Sequence, residues 1–358
     1  MRVEKKSGST GKLRQAVIET LEQRQMLTVT LAYSVLTING TAGDDVIHVH
    51  LQDGNPNTLV VEDNVATAAY DPTDPTGGYY YYDLRTLSHS VYRIDINGLG
   101  GNDELVVDES YGIIRMSFTI NSGGGGNDTI IGGSGNDVLN GGSGDDYICG
   151  GAGNNYIYGG AGNDTLYGTM NPDDAYLYGG DPSRAGTNSI YGGDGDDFIV
   201  GGPKNDRLYG AAGFDTIYGM GGNDYIDGGN DDDSLVGGNG DYGFGSNNGY
   251  CTIHGGNGND YIEGDGNLHN YLFGDAGNDT IQAGNGGDQM FGGAGDDELD
   301  GGPGNDSLDS GSGNDLLTGG GGRNRFKISG YGSATVTDFD PAKDSYGNFV
   351  NLSTKVRK

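Results

Sequence analysis

From Gly123 onward the chain repeats itself every nine residues, a period that constrains its fold more tightly than any other feature. GGGGNDTII starts at Gly123, GGSGNDVLN at Gly132, GGSGDDYIC at Gly141, GGAGNNYIY at Gly150 and GGAGNDTLY at Gly159. After an irregular stretch the beat returns with GGDGDDFIV at Gly192 and runs to GGGGRNRFK at Gly319. The pattern is G-G-x-G-x-D-x-U-x, with U apolar. Position eight is Ile130, Leu139, Ile148, Ile157 and Leu166 in the first copies and Met290, Leu299, Leu308, Leu317 and Phe326 in the last. Leu177 and Phe244 carry it through the two places where the spacing slips. One apolar side chain in nine residues cannot close a core within a copy, but stacked copies turn those side chains into continuous ladders.

The period also sets the geometry. Positions seven to nine read as a short strand, with eight inward and seven and nine outward. Positions one to six read as a turn. Two copies make one coil of 18 residues with a strand on each face, and successive coils hydrogen-bond about 4.8 Å apart as two parallel sheets. A parallel sheet normally needs long crossovers; here turns replace them. The expected class is all-β: a parallel β-roll, or two-sheet β-solenoid, with a β-rich N-terminal lead-in. The expected organisation is a targeting or flexible segment over 1–36 and a β-rich cap over 37–121. The roll follows over 122–327, then a capping strand and tail over 328–358.

Composition now poses a problem. Of 358 residues 74 are Gly, and the formal charge is −32. Such a chain must lose much backbone freedom and compact against its own repulsion. Something must neutralise the position-six carboxylates, which the coil brings into rows along two edges. The same charge repels DNA and RNA, so nucleic acid is excluded as a partner. Asx turns would occupy one Asp per turn but leave the rows uncompensated. Ca²⁺ suits them better, because it takes six to eight oxygens at about 2.3–2.6 Å from carboxylates and backbone carbonyls.

This pattern resembles the repeats-in-toxin, or hemolysin-type calcium-binding, nonapeptide family over residues 123–327. The resemblance implies several Ca²⁺ ions and an extracellular or cell-surface location. The implied carboxylate ligands are Asp128, Asp137, Asp146, Asp164, Asp197, Asp206, Asp215, Asp224, Asp233, Asp260, Asp279, Asp288, Asp297, Asp306 and Asp315. The implied carbonyl ligands are those of Gly123, Gly125, Gly132, Gly141, Gly159, Gly192, Gly255, Gly292 and Gly301. Some copies depart from the pattern. Asn155 replaces Asp, and insertions at Gly168–Tyr178 and Gly179–Tyr191 leave Ala175 and Asn188 at position six. Tyr242 and Cys251 occupy turn positions between Gly237 and His254, and Asn324 lies between Arg323 and Arg325 in the last copy. Sites beside these copies are expected to be weak or empty.

The flanks carry weaker signals. NGTAGDDVIHV (Asn39–Val49) and NGLGGNDELVV (Asn97–Val107) are isolated copies of the repeat. Leu59–Val61 and Val91–Ile96 read as strands, and Tyr70–Asp83 as an exposed excursion. Ala334–Asp344 (ATVTDFDPAKD) resembles the DxIxDFxPxxD segment that closes many rolls of this family. LEQRQML (Leu21–Leu27) resembles the LEPRxLL segment of planctomycete secreted proteins, with Gln23 in place of Pro; a short amphipathic helix is the other reading.

Sharper functions find less support. Position nine is often Tyr, and counting copies places Tyr167, Tyr191 and Tyr209 on one face, where they would pack across strands or dock a glycan or a protein. His48 and His50 share a strand face without an HExxH motif and read as surface residues. No nucleophile elbow is present, so no enzymatic activity is expected. No run of about 18 apolar residues implies a transmembrane helix. Cys149 and Cys251 should lie roughly 25 Å apart by strand spacing, too far for a disulfide. The expectation is a calcium-dependent structural or adhesive protein. A glycan- or protein-binding module and an accessory domain of an extracellular enzyme are the alternatives.

Overall fold

Position eight points inward in every coil, and everything else in the architecture follows from that. The computed structural model describes residues 27–32, 35–63, 79–83, 92–169, 185–238, 250–264, 266 and 269–347. These form two sheets of fifteen strands each, lying back to back around one hydrophobic core. We call the sheet that begins with Thr28–Ala32 the front sheet and its partner the back sheet. Copies alternate between them: Val138–Ser143 is in front, Tyr147–Cys149 behind, Tyr156–Ala161 in front again. Leu139 pairs in parallel with Ile157 in the front sheet, and Ile148 with Leu166 in the back sheet. Both position-eight ladders are fully buried, from Ile130 to Phe326. The coil is 18 residues long wherever the repeat is regular.

The turns between strands leave no room for side chains at their tightest points. Gly144 sits at φ +123, and a Cβ there would lie 2.0 Å from the Gly126 carbonyl oxygen of the preceding coil. Stacking at strand spacing therefore selects glycine at position four, beyond its tolerance of positive φ.

The ladder is continuous, although by a different route from the one counted in sequence. Ile157 pairs directly with Ile190, and Ile226 directly with Ile253. The two position-eight ladders therefore pass over Leu177 and Phe244, which lie outside the described residues with Ala175 and Tyr242. The coils concerned are 33 and 27 residues long. Each surplus stretch thus falls in the connection between a back strand and the next front strand. One surplus copy exchanges the two sheets, so Tyr167 lies in the back sheet while Tyr191 and Tyr209 lie in front.

Parallel coils also begin upstream of the regular repeats. Val35–Asn39 pairs with Arg93–Leu99, and that strand with Ser117–Gly123, so both sheets run through residues 121 and 122 unbroken. The remaining antiparallel strands lie at this end. Val46–Gln52 pairs with Asn55–Asp63, which pairs with Tyr79–Asp83; that end of the Tyr70–Asp83 segment is thus an edge strand of the back sheet, and the rest of it lies outside the described residues. At the other end Gly332–Val336 and Ser345–Tyr346 add the last strands, and Phe339 stacks on Tyr346 at 4.3 Å beside Phe326. Except for Leu27, the LEQRQML segment lies outside the described residues. Among those residues no helix is long and apolar enough to cross a membrane.

Candidate functional site

The turns stack along two edges. On the outgoing edge the chain passes from the front sheet to the back, and on the return edge it passes from back to front. Position six of the outgoing turns is Asp in every coil up to the last, where Ala334 takes the place: Asp45, Asp103, Asp128, Asp146, Asp164, Asp197, Asp215, Asp233, Asp260, Asp279, Asp297 and Asp315. The return turns carry Asp137, Asn155, Asn188, Asp206, Asp224, Cys251, Asn270, Asp288, Asp306 and Asn324. Every departure from Asp within the repeats therefore falls on one edge.

One carboxylate oxygen of each Asp is used structurally. The backbone N–H of Asp128 donates to Asp146 Oδ1 at 2.8 Å, that of Asp146 to Asp164 Oδ1 and that of Asp164 to Asp197 Oδ1. The same bond recurs down the edge to Asp297 and Asp315. This is a ladder between coils, not an Asx turn within one, and it accounts for Oδ1 alone.

The second oxygen has a different environment. Oδ2 is buried without a protein hydrogen-bond donor at Asp128, Asp137, Asp146, Asp164, Asp197, Asp206, Asp215, Asp233, Asp260, Asp279, Asp288, Asp297 and Asp306. It leans over position one of its own turn, toward a carbonyl oxygen of the next coil. A Cβ on Gly141 would lie 2.1 Å from Asp146 Oδ2 and 2.8 Å from Gly159 O. Gly159 has the same relation to Asp164 Oδ2 and Gly192 O, and Gly274 to Asp279 Oδ2 and Gly292 O. A carboxylate oxygen without a protein donor and a carbonyl oxygen thus crowd the same glycine position, and the buried charge costs several kcal/mol per ion unless a cation compensates it.

Protonation measures the same cost. Burial, helped by nearby carboxylates, pushes Asp146, Asp164, Asp197 and Asp215 up to about 7. Burial raises Asp206 and Asp233 to about 8, and Asp137 well above the ordinary carboxylate range. A hard cation with oxygen preference fits this donor set. No group of three or more His, Cys, Asp or Glu side chains converges among the described residues; the donors are single carboxylates joined to backbone carbonyls.

The residues singled out in sequence distribute as follows. All the named aspartates are buried at position six. The carbonyls of Gly159, Gly192, Gly255 and Gly292 face the Asp of the preceding coil. The Gly141 carbonyl instead accepts the Ser122 hydroxyl, and the Gly125 carbonyl accepts the Gly101 N–H. Asp103 was missed: its Oδ2 is equally orphaned, and burial raises it to about 7. Its signal was the NGLGGNDELVV copy, read only as lead-in. Asp45 differs, because Thr41 N–H donates to its Oδ2 at 2.6 Å.

Outside the turns, aromatic rings run along the front sheet. Tyr158, Tyr191 and Tyr209 stack at 5.1 and 4.9 Å, and His254, Phe273 and Phe291 at 4.4 and 4.7 Å. Tyr225 bridges the two groups. Each ring within a group lies nearly parallel to its neighbour, so the rings occupy one another's faces. His48 lies beside Glu104; His50 is buried, not a surface residue, and contacts Glu62 and Tyr111. No disulfide joins Cys149 and Cys251, both of which are buried.

Comparison with known families agrees with the geometry. The RTX calcium-binding nonapeptide repeat matches residues 37–50, 122–157, 150–173, 184–208, 200–235, 209–242, 252–267, 266–299 and 291–326, together more than half of the chain. No curated protein matches it.

Proposed function

Because the chain belongs to the RTX calcium-binding nonapeptide repeat family, whose repeats bind Ca²⁺ at multiple sites, we propose that it acts outside the cell as a structural or adhesive roll stabilised by calcium. The ligands in this reading are the Oδ2 atoms of Asp103 and of the position-six aspartates from Asp128 to Asp306, with Asp315 ending the outgoing row. Carbonyls such as those of Gly159, Gly192, Gly255 and Gly292 complete each site. The bound ion supplies the positive charge between carboxylate and carbonyl, while the Oδ1 ladder fixes the spacing of the coils. One observation carries the reading: a buried carboxylate oxygen faces a carbonyl oxygen in coil after coil.

An extracellular setting suits such sites, since calcium modules there work at dissociation constants of about 10⁻⁴–10⁻³ M. The family is a calcium-binding repeat rather than a catalytic one, and the reading assigns this chain no reaction. Hydrodynamic radius tests it. The full chain should contract when Ca²⁺ replaces chelator and should not contract with Mg²⁺ alone; an equal radius in chelator and in Ca²⁺ would refute the reading.

A further inference from the structure

Asn differs from Asp by one group, and in this roll that group lies where the Asp sites face a carbonyl. Asn155 Oδ1 accepts the Asp137 N–H at 3.0 Å, and Asn188 Oδ1 accepts the Asn155 N–H at 3.1 Å. Asn270 Oδ1 accepts the Cys251 N–H at 3.0 Å. The N–H partner fixes the orientation of each amide, because only the oxygen can accept that bond. The amide nitrogen must then occupy the place of Oδ2. There it donates across the coil: Asn155 Nδ2 to Gly168 O at 3.2 Å, Asn188 Nδ2 to Gly201 O at 3.3 Å and Asn270 Nδ2 to Ala283 O at 3.1 Å. All three Asn side chains are buried. A Cβ on Gly150 would lie 2.6 Å from Asn155 Nδ2 and 2.5 Å from Gly168 O, the arrangement that Asp146 Oδ2 and Gly159 O make around Gly141.

Chain length separates the edges in the same way. From Leu139 to Leu317 each outgoing crossing takes nine residues from one position eight to the next. The extra residues that lengthen two coils to 33 and 27 residues both fall in return connections, those that bring the chain to Asn188 and to Cys251. The single extra residue before Asn270 is on that edge too. A turn that need not hold an ion jointly with its neighbours is free to change length.

We propose that the two edges bind calcium unequally. The outgoing edge is an unbroken metal row from Asp103 to Asp315. The return edge carries ions only at Asp137, Asp206, Asp224, Asp288 and Asp306. Asn155, Asn188 and Asn270 are metal-free staples whose amide nitrogens take the place of the cation. This rests on the calcium reading above and adds which copies load and which do not.

The test counts bound Ca²⁺ per chain at saturating calcium chloride, with far-UV circular dichroism as the fold readout. Asn155→Asp, Asn188→Asp and Asn270→Asp combined should bind more calcium than the parent chain. The reverse exchange on the outgoing edge, Asp146→Asn with Asp164→Asn, should bind less while keeping the strand signal. That second variant decides the matter if the first does not fold. Equal ion counts for the parent and a folded variant would overturn the inference alone. No calcium on the parent would overturn the calcium reading and this inference with it.

Discussion

Coils that differ at their turns are alike in their interiors. Ile157 follows Asn155, Ile190 follows Asn188 and Ile253 follows Cys251, yet each is as completely buried as Ile148, which follows Asp146. The apolar ladder does not register what the turn carries. The interior therefore specifies the coil, whereas the edges specify the conditions under which the coil is stable. This division suits a solenoid, in which each repeat meets only its neighbours and interface terms add along the stack.

Four experiments would sharpen or break this contrast. The largest effect is expected in the interior: Ile199→Ala should cost about 2–5 kcal/mol in urea unfolding, even in saturating calcium. Full rescue by added calcium would mean that interior and edge are not separable. Next comes the edge. Asp197→Ala leaves the buried Asp164 N–H without its acceptor, a loss of about 1–3 kcal/mol. Asp197→Asn keeps that acceptor and should cost less, so equal losses would show that the Oδ1 ladder contributes nothing.

Third is pH. The folded-state values of Asp146, Asp164, Asp197 and Asp215 stand near 7, above the ordinary value of about 3.9. The folded state then binds more protons between these values, so stability without calcium falls as pH rises through that window. In chelator the strand signal should be greater at pH 5 than at pH 8, and excess calcium should abolish that trend. A chelated chain more stable at pH 8 would contradict the burial assigned to these carboxylates. The smallest effect belongs to the outer face. Tyr158→Ala removes one stacked contact, worth about 0.5–1.5 kcal/mol; its thermal midpoint should fall by the same amount with and without excess calcium, as long as both samples are folded.

The interior was legible in sequence because an apolar residue every ninth position needs no partner to be recognised. Leu177 and Phe244 show where that signal ends. An excursion that keeps glycines and one apolar residue looks like a coil, and only the pairing of Ile157 with Ile190 and of Ile226 with Ile253 separates them. The misplacement of Tyr167 followed from the same surplus copy. Position-six acids were equally plain, including Asp103 had its isolated copy been given the same weight. The role of Asn155, Asn188 and Asn270 was not legible, because it depends on which way each amide faces across the coil. The confinement of every departure to the return edge was hidden for a related reason: it emerges only once the strands are assigned to sheets.

The central claim is that cations compensate the buried carboxylate rows and so permit the roll at neutral pH. Calcium bound per chain, titrated on the full chain alongside far-UV circular dichroism, measures this most directly. The account predicts that strand signal and bound calcium rise together and cooperatively from a chelated chain with little of either. A chelated chain with the full strand signal, binding no calcium when it is added, would contradict it.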